Sequence, residues 1–259
     1  MIVDCHTHIQ DSVREVDKAE HLEAAETVDT CLVLAAGDGN SENINKELSD
    51  YVNAHKNKMI GFALVRPTED SINEKDLTYL KDKLGLKGTV LYCASSGFHP
   101  VHTKAMQFYE SAQKVGFPVF FHNDSVYQEA VLDYTQPYLM DEVARTFPDL
   151  KIIMGNMGQP FLEQTLLLLA KHNNVYADLT LNPNRVWQIY NTVISAYERE
   201  VLDKLFFGSG FPLSNAGECI ETLLGFNKLI ADTNLPKVPR DHIRHIVERD
   251  TLSLLDIKH

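Results

Sequence analysis

Eight short apolar runs, separated by longer amphipathic stretches, limit the folds open to this chain. The runs are rich in β-branched and aromatic residues and are apolar at successive positions, which is typical of strands buried on both faces of a parallel sheet. They occupy residues 2–3, 31–35, 59–64, 88–92, 117–121, 150–154, 175–177 and 205–207. Amphipathic segments that predict helices lie at 14–27, 42–56, 70–84, 102–115, 137–147, 161–172, 185–200, 217–231 and 240–255.

Eight strands that alternate with helices predict a (β/α)8 TIM barrel, and the 259 residues match the usual length of that fold. Residues 1–259 are therefore expected to form one domain. A doubly wound open sheet is the structural alternative, but it usually carries a glycine-rich turn after its first strand. Here the first strand runs into Asp4-Cys-His-Thr-His8 instead.

Net charge and the length of the apolar runs argue against two classes of partner, nucleic acids and membranes. Lys plus Arg number 24 and Asp plus Glu number 36, so the net charge of −12 argues against a nucleic-acid binder. The apolar runs are far shorter than the roughly 20 residues that span a bilayer, and the opening residues do not resemble a signal peptide. Four scattered cysteines are typical of reduced thiols. We therefore expect a cytoplasmic protein with a small-molecule substrate, and the sequence leaves a homo-oligomer open.

Histidines at the ends of two strands predict a metal site. Residues i and i+2 of a strand point to the same side, so His6 and His8 can present two imidazoles at the mouth of the barrel. His122 follows the fifth strand and can supply a third nitrogen. Three histidines with an open fourth position are a catalytic zinc arrangement, so one divalent ion such as Zn²⁺ is expected. The remaining histidines, His21 among them, lie on predicted helices or in the tail and are expected to be solvated.

Further polar side chains follow other strands, at the end of the barrel where active sites lie. Arg66 and Arg185 follow the third and seventh strands and are candidate clamps for a substrate carboxylate, with a solvated surface role as the open alternative for each. Tyr92 follows the fourth strand and is a candidate pocket residue. Asn156 and Asp178 come after the sixth and at the end of the seventh strand.

Five segments together resemble the amidohydrolase superfamily, in the branch of the aminocarboxymuconate-semialdehyde decarboxylase-like enzymes and small lactonases. They are residues 4–8 (DCHTH), 118–122 (PVFFH), 149–158 (DLKIIMGNMG), 174–178 (NVYAD) and 205–212 (LFFGSGFP). The resemblance covers nearly the whole chain in the right order. It implies a barrel whose metal is held by His6, His8 and His122 together with an Asp on the eighth strand, and it implies a sixth-strand His that orients water or substrate.

Two positions depart from that pattern. Gly210 stands where the family has the metal-binding Asp, and Asn156 stands where it has the sixth-strand His. Gly210 offers no side chain, and Asn156 cannot titrate near neutral pH. Asp178 and Asp124 are the candidate groups for proton transfer, with Asn156 as a hydrogen-bonding group. The alternative for both residues is a structural one, in which Asp178 caps or hydrogen-bonds the following loop and Asp124 caps the next helix.

The resemblance implies a hydrolase, or a non-oxidative decarboxylase, that acts on a small carboxylated organic acid, lactone or ester. The alternative is a catalytically impaired descendant that keeps the barrel and binds a metabolite or partner without turnover. Loss of two site residues favours the alternative, whereas retention of three histidines favours the enzyme. Some lactonases of the family work without metal, as the resemblance implies, but they use the acidic residue that is missing here.

Overall fold

All eight predicted strands are present in a computed structural model of the protein, paired side by side in chain order as one parallel sheet. The structure describes residues 1–10, 16–70, 72–123, 125 and 129–258. The strands are β1 (Val3–Thr7), β2 (Thr30–Leu34), β3 (Met59–Leu64), β4 (Gly88–Leu91), β5 (Val119–Phe121), β6 (Ile152–Met154), β7 (Val175–Asp178) and β8 (Leu205–Phe206). Every residue in them is buried, as expected for a sheet covered on both faces.

The sheet closes on itself where the first and last strands meet. The Cys5 N–H donates to the Phe207 carbonyl at 2.8 Å, and the Gly210 N–H donates to the His6 carbonyl at 2.9 Å. These bonds continue the β1–β8 contact past the end of β8, because Thr7 also pairs with Phe211. The closure confirms the predicted (β/α)8 barrel and excludes the open doubly wound sheet.

Helices follow the strands around the outside of the barrel. They are α1 (Lys18–Ala24), α2 (Ser41–Ala54), α3 (Glu74–Asp82), α4 (Thr103–Val115), α5 (Met140–Thr146), α6 (Leu162–Lys171), α7 (Val186–Glu198), α8 (Ala216–Leu224), α9 (Arg240–Val247) and α10 (Thr251–Leu254). The predicted helix at 217–231 divides at Gly225, a residue of low helix propensity, and continues as a 3₁₀ turn over Phe226–Ile230. Within the described part of the chain, none of these helices has the length and apolar character needed to cross a membrane.

Strand alternation decides which side chains enter the barrel. Phe120 points inward and packs edge-on against the His6 ring at 5.3 Å between centroids. Its neighbour Phe121 points outward and packs on Tyr109 of α4 at 5.7 Å. The next residue, His122, continues β5 because its N–H donates to the Leu91 carbonyl at 2.9 Å. By the same alternation His122 faces inward like Phe120, which brings its ring to the centre of the barrel mouth.

Candidate metal centre

Three imidazoles from opposite sides of the barrel meet at its mouth. The Nε2 atom of His6 lies 3.1 Å from Nε2 of His8 and 3.1 Å from Nε2 of His122. One nitrogen from each ring lies within 4.8 Å of the other two. His6 on β1 and His8 directly after β1 point to the same side of the strand, so their nitrogens come together. His122, directly after β5, supplies the third nitrogen from across the barrel. The structure therefore brings together the three residues that the sequence proposed as metal ligands.

The other ring nitrogen of two of these histidines is held by an acceptor. His6 Nδ1 lies 2.6 Å from Asp178 Oδ2, and His8 Nδ1 lies 3.0 Å from the Leu34 carbonyl oxygen. A carbonyl or an ionised carboxylate can only accept, so each Nδ1 carries the proton and donates it. The Nε2 atoms of His6 and His8 are then left as lone-pair donors that face His122 and each other.

Burial keeps two of the imidazoles neutral. Desolvation, with the nearby His6, lowers the pKa of His8 to about 3. Desolvation also holds the pKa of His122 well below its ordinary value, and the neighbouring His6 and His8 act in the same direction. The His122 ring lies against Tyr92, with 4.5 Å between ring centroids. Neutral imidazole is the form that binds metal, so His8 and His122 are in the metal-binding form at neutral pH.

These donors fit a divalent ion. Zinc–nitrogen bonds of about 2.0–2.1 Å in a tetrahedral site place two ligand nitrogens about 3.3 Å apart, close to the separations found here. Three inward lone pairs at such distances repel one another unless a cation or proton lies among them. Gly210 adds no side chain, so the described residues offer a three-nitrogen set with room for a water or substrate oxygen.

Asp178, at the end of β7, lies beneath His6 and is fully buried. Its Oδ2 accepts hydrogen bonds from His6 Nδ1, from the Asn156 N–H at 3.0 Å and from the Thr180 hydroxyl, and its Oδ1 accepts from the Thr180 N–H at 3.0 Å. Burial acts to raise the pKa of Asp178, but the electrostatic interaction with His6 and these hydrogen bonds outweigh it and lower the pKa. Asp178 is therefore an ionised carboxylate bonded to a ligand histidine.

Asn156 contributes through its backbone. It lies in a left-handed turn directly after β6, with φ of 46° at Asn156 and 51° at Met157. This turn directs the Asn156 N–H at Asp178. The Asn156 side chain is partly exposed and lines a small cleft with Gln159 and Thr180.

A cavity of about 490 Å³ lies beside the histidines at the ends of β2, β3 and β4. Tyr92 forms the shared wall, because its ring contacts His122 and its hydroxyl donates to the Ala35 carbonyl at 3.1 Å. The cavity is lined by Ala36, Gly37, Asp38, Leu64, Arg66, Glu69, Tyr92, Ser95, Ser96 and Glu129. Its volume is that of a small-molecule site.

The two arginines predicted as clamps lie in different settings. Arg66 lines the cavity, but its guanidinium also donates to the carbonyl of Gly39 at 2.9 Å and to Ser41 Oγ at 3.0 Å, so it ties the loop after β2 to the end of β3. Arg185 is exposed at the start of α7. Asp124, the second predicted proton-transfer group, lies outside the described residues.

Sequence reasoning missed two residues that shape the site. Thr180 bonds both His6 and Asp178, with Oγ1 2.9 Å from His6 Nδ1. Asp4 is buried, and its Oδ1 accepts from the N–H of His6 at 3.2 Å and of Ser209 at 2.9 Å. The available signal was position: Asp4 and His6 alternate on one strand, and Thr180 comes two residues after Asp178.

The expectation that the remaining histidines are solvated is wrong for His21. The His21 side chain is 1% exposed, and its Nδ1 lies 2.6 Å from the Tyr51 hydroxyl. Its ring packs on Phe211, which follows β8, with 5.1 Å between centroids. His21 lies on the inner face of α1, where the short helix covers the closure of the barrel.

We expect His21 to make the metal-free protein acid-sensitive. Burial, with the nearby charge of His55, lowers the pKa of His21 to about 4. Between this value and the ordinary value near 6.5 the unfolded chain binds the proton and the folded chain does not, so stability is full above pH 6.5 and falls as the pH drops towards 4. His21→Phe should remove on the order of 1–2 kcal/mol from the difference in unfolding free energy between pH 7 and pH 5.

The measurement is urea unfolding at both pH values in the presence of a chelator. His245→Ala, which changes an exposed histidine of α9, is the control. An unchanged pH dependence in His21→Phe would contradict the prediction.

Comparison with solved structures supports the barrel. A probable 2-pyrone-4,6-dicarboxylic acid hydrolase from Acinetobacter baumannii, solved with citric acid bound, superposes with a TM-score of 0.71 at 14% identity over 99% of each chain. A dihydroxybenzoic acid decarboxylase from Polaromonas sp. JS666, solved with manganese and an inhibitor, superposes with a TM-score of 0.65 at 14% identity over 98% of this chain and 96% of that chain. Likeness at these identities shows a shared fold.

Sequence comparison reaches the same group of proteins. The dihydroorotase of Helicobacter pylori strain HPAG1 is 28% identical over 110 residues, which are 42% of this chain and 31% of the relative. The match thus spans about a third of the length of that enzyme. The sequence profile of the amidohydrolase family matches residues 3–241, nearly the whole chain. The family uses a divalent metal, and the resemblance inferred from the strand-end motifs is confirmed: this chain belongs to the amidohydrolase family.

Proposed function

We propose that this protein is a metal-dependent hydrolase or non-oxidative decarboxylase that acts on a small carboxylated organic acid, lactone or ester. The observation that carries the proposal is the convergence of three Nε2 atoms, from His6, His8 and His122, beside a cavity of about 490 Å³. The three imidazoles would hold one Zn²⁺, or a related ion such as the manganese of the Polaromonas decarboxylase. Such an ion polarises a substrate oxygen and acidifies a bound water.

Substrate orientation, hydrogen bonding and proton transfer are proposed for three different residues. Tyr92 forms the wall between the histidines and the cavity, so it would orient the substrate against the His122 side of the centre. Asn156 lines the separate small cleft with Thr180, and its side-chain amide is proposed to hydrogen-bond a substrate oxygen. Proton transfer at the substrate is proposed for Asp124, since Asp178 is already committed to His6.

Charges along the cavity favour one orientation of the substrate. Asp38, Glu69 and Glu129 are exposed carboxylates on its wall, and Arg66 shares its guanidinium with the loop after β2. A ligand carboxylate would be repelled by the three acids and attracted by the cationic centre. The substrate is therefore proposed to turn its carboxyl, ester or lactone group towards the histidines and to place hydrogen-bond donors in the cavity.

The proposed compartment is reducing and cytoplasm-like. All four cysteines are buried, and no disulfide joins them. Burial raises the pKa of Cys5 and Cys31 well above the ordinary thiol value, so these thiols are unreactive structural groups.

Turnover by the metal-loaded protein tests the proposed function. Protein loaded with Zn²⁺ or Mn²⁺ is assayed against lactones, phenyl esters and hydroxybenzoates in weakly buffered solution with a pH indicator. Hydrolysis of an ester or lactone releases a proton, which the indicator reports. Decarboxylation of a carboxylate gives CO2 and bicarbonate with little net proton change near neutral pH, so it is identified by measuring the total CO2 released on acidification. We expect turnover with one class of substrate, and loss of turnover in His122→Ala. Absence of turnover throughout, with a carboxylic acid that still raises the melting temperature, would contradict the proposal and favour a binding protein.

A further inference from the structure

We propose that Asp178 is the positioning residue of the metal centre, and that β7 supplies the carboxylate of this site while position 210 is closed to one. This inference rests on the proposed metal-dependent function. Its structural basis is the juxtaposition of Asp178, Thr180, Gly208 and Gly210 around the His6 ring.

Asp178 fixes the ring of His6. The 2.6 Å contact between Asp178 Oδ2 and His6 Nδ1 is supported by donors to both carboxylate oxygens. The Asn156 N–H and the Thr180 hydroxyl reach Oδ2, and the Thr180 N–H reaches Oδ1. A carboxylate held from several sides cannot rotate away, so it keeps the His6 proton on Nδ1 and the lone pair of Nε2 directed at the other two histidines. Partners of this kind orient metal-binding histidines and raise their basicity.

Gly208 makes room for the Asp178–His6 pair. A Cβ atom at position 208 would overlap Asp178 Oδ1 and lie 3.0 Å from His6 Cβ. The residue sits on the segment that follows β8, where its carbonyl also accepts from the Leu181 N–H at 3.0 Å. Any side chain here would push Asp178 away from His6.

Gly210 closes the position from which the resemblance would bring a ligand carboxylate. Its φ is +67°, a region that apart from Gly mainly Asn and Asp adopt, so the obstacle to a carboxylate here is steric: a Cβ atom would lie 2.7 Å from Thr180 Cγ2. Thr180 cannot move aside without breaking its bonds to Asp178. A side chain at position 210 and the Thr180–Asp178 pair would therefore occupy the same space, and in this structure the pair occupies it.

Zinc affinity of isosteric variants tests the proposal. Competition with a chromophoric chelator measures Kd, and the visible spectrum of the Co²⁺-substituted protein reports the ligand geometry. We expect Asp178→Asn to bind Zn²⁺ about 10–100-fold more weakly, with an altered Co²⁺ spectrum. Thr180→Val should weaken binding several-fold, and Thr180→Ser should restore it, because only the hydroxyl matters.

Thr165→Val is the matched control. Thr165 is a buried threonine on α6, and its hydroxyl has no hydrogen-bond partner among the described residues. This variant should bind Zn²⁺ as the unchanged protein does. Should Asp178→Asn fail to fold, Gly208→Ala provides the same test with the carboxylate retained but displaced, and it should also bind more weakly.

Three results would each contradict a different part of the proposal. Equal Kd and equal Co²⁺ spectra for Asp178→Asn and the unchanged protein would overturn the positioning role. A Gly210→Asp variant that binds Zn²⁺ more tightly than the unchanged protein would overturn the closure of position 210. Absence of Zn²⁺ binding by the unchanged protein would instead overturn the proposed metal centre itself, so the two failures are distinguishable.

Discussion

A His6→Ala/His8→Ala variant is expected to lose the bound metal entirely, whereas the unchanged protein should carry about one equivalent. The variant removes two of three nitrogen donors and leaves His122 alone on the far side of the mouth. One neutral imidazole does not hold a divalent ion against water and buffer. Elemental analysis of freshly purified protein measures the stoichiometry, and turnover should fall with it to the background level.

A double variant of exposed histidines controls for the change in composition. His242→Ala/His245→Ala alters two exposed imidazoles of α9 and should keep the full metal content. Equal metal in both double variants would mean that the ion binds elsewhere, and metal in neither the variant nor the unchanged protein after incubation with excess zinc would contradict the metal centre.

Phe120→Ala is expected to lower the free energy of unfolding by about 3–5 kcal/mol, the usual loss for a large aromatic residue removed from a core. Phe120 is fully buried and supports the His6 ring from below. A Cβ at Gly155 would lie 2.9 Å from the Phe120 ring, so the backbone directly after β6 already packs tightly on this side chain. Loss of the ring would leave a cavity directly beneath the metal ligands.

Urea unfolding of the metal-free protein measures this change. Phe120→Leu should recover part of the lost stability because it refills most of the cavity, and Leu167→Ala, at a side chain that is 59% exposed on α6, should cost little. A loss below about 1 kcal/mol in Phe120→Ala would contradict tight packing of Phe120 against His6 and Gly155.

The strands were predictable because each is a short apolar run buried on both faces, a local pattern that does not depend on its neighbours. The same periodicity placed His6, His8 and His122 at strand ends, and barrel geometry alone implied that strand ends meet. Helix ends were less predictable, since the stop at Gly225 within 217–231 depends on local turn chemistry.

The partners of the histidines could not be predicted. Asp178 and His6 are 172 positions apart, and nothing local distinguishes a carboxylate that binds a histidine from one that caps a loop. His21 was misjudged for a related reason. Sequence alone predicts that a polar residue on a short helix is solvated, because the tertiary contact that buries it is not visible. For His21 that contact is made by Phe211, 190 positions later in the sequence.

The contact between β1 and the segment after β8, which closes the barrel, has a consequence for when the metal site can form during synthesis. His6 leaves the ribosome 172 residues before Asp178, which supplies its carboxylate, and still longer before Phe207 and Gly210, whose carbonyl and amide hold its strand. A growing chain therefore displays the imidazoles of His6 and His8 without the neighbours that orient them until Asp178 and the segment after β8 have been made. Full-strength capture of an ion must therefore wait until the segment after β8 has emerged, and a chain stalled before Gly210 would not retain its metal.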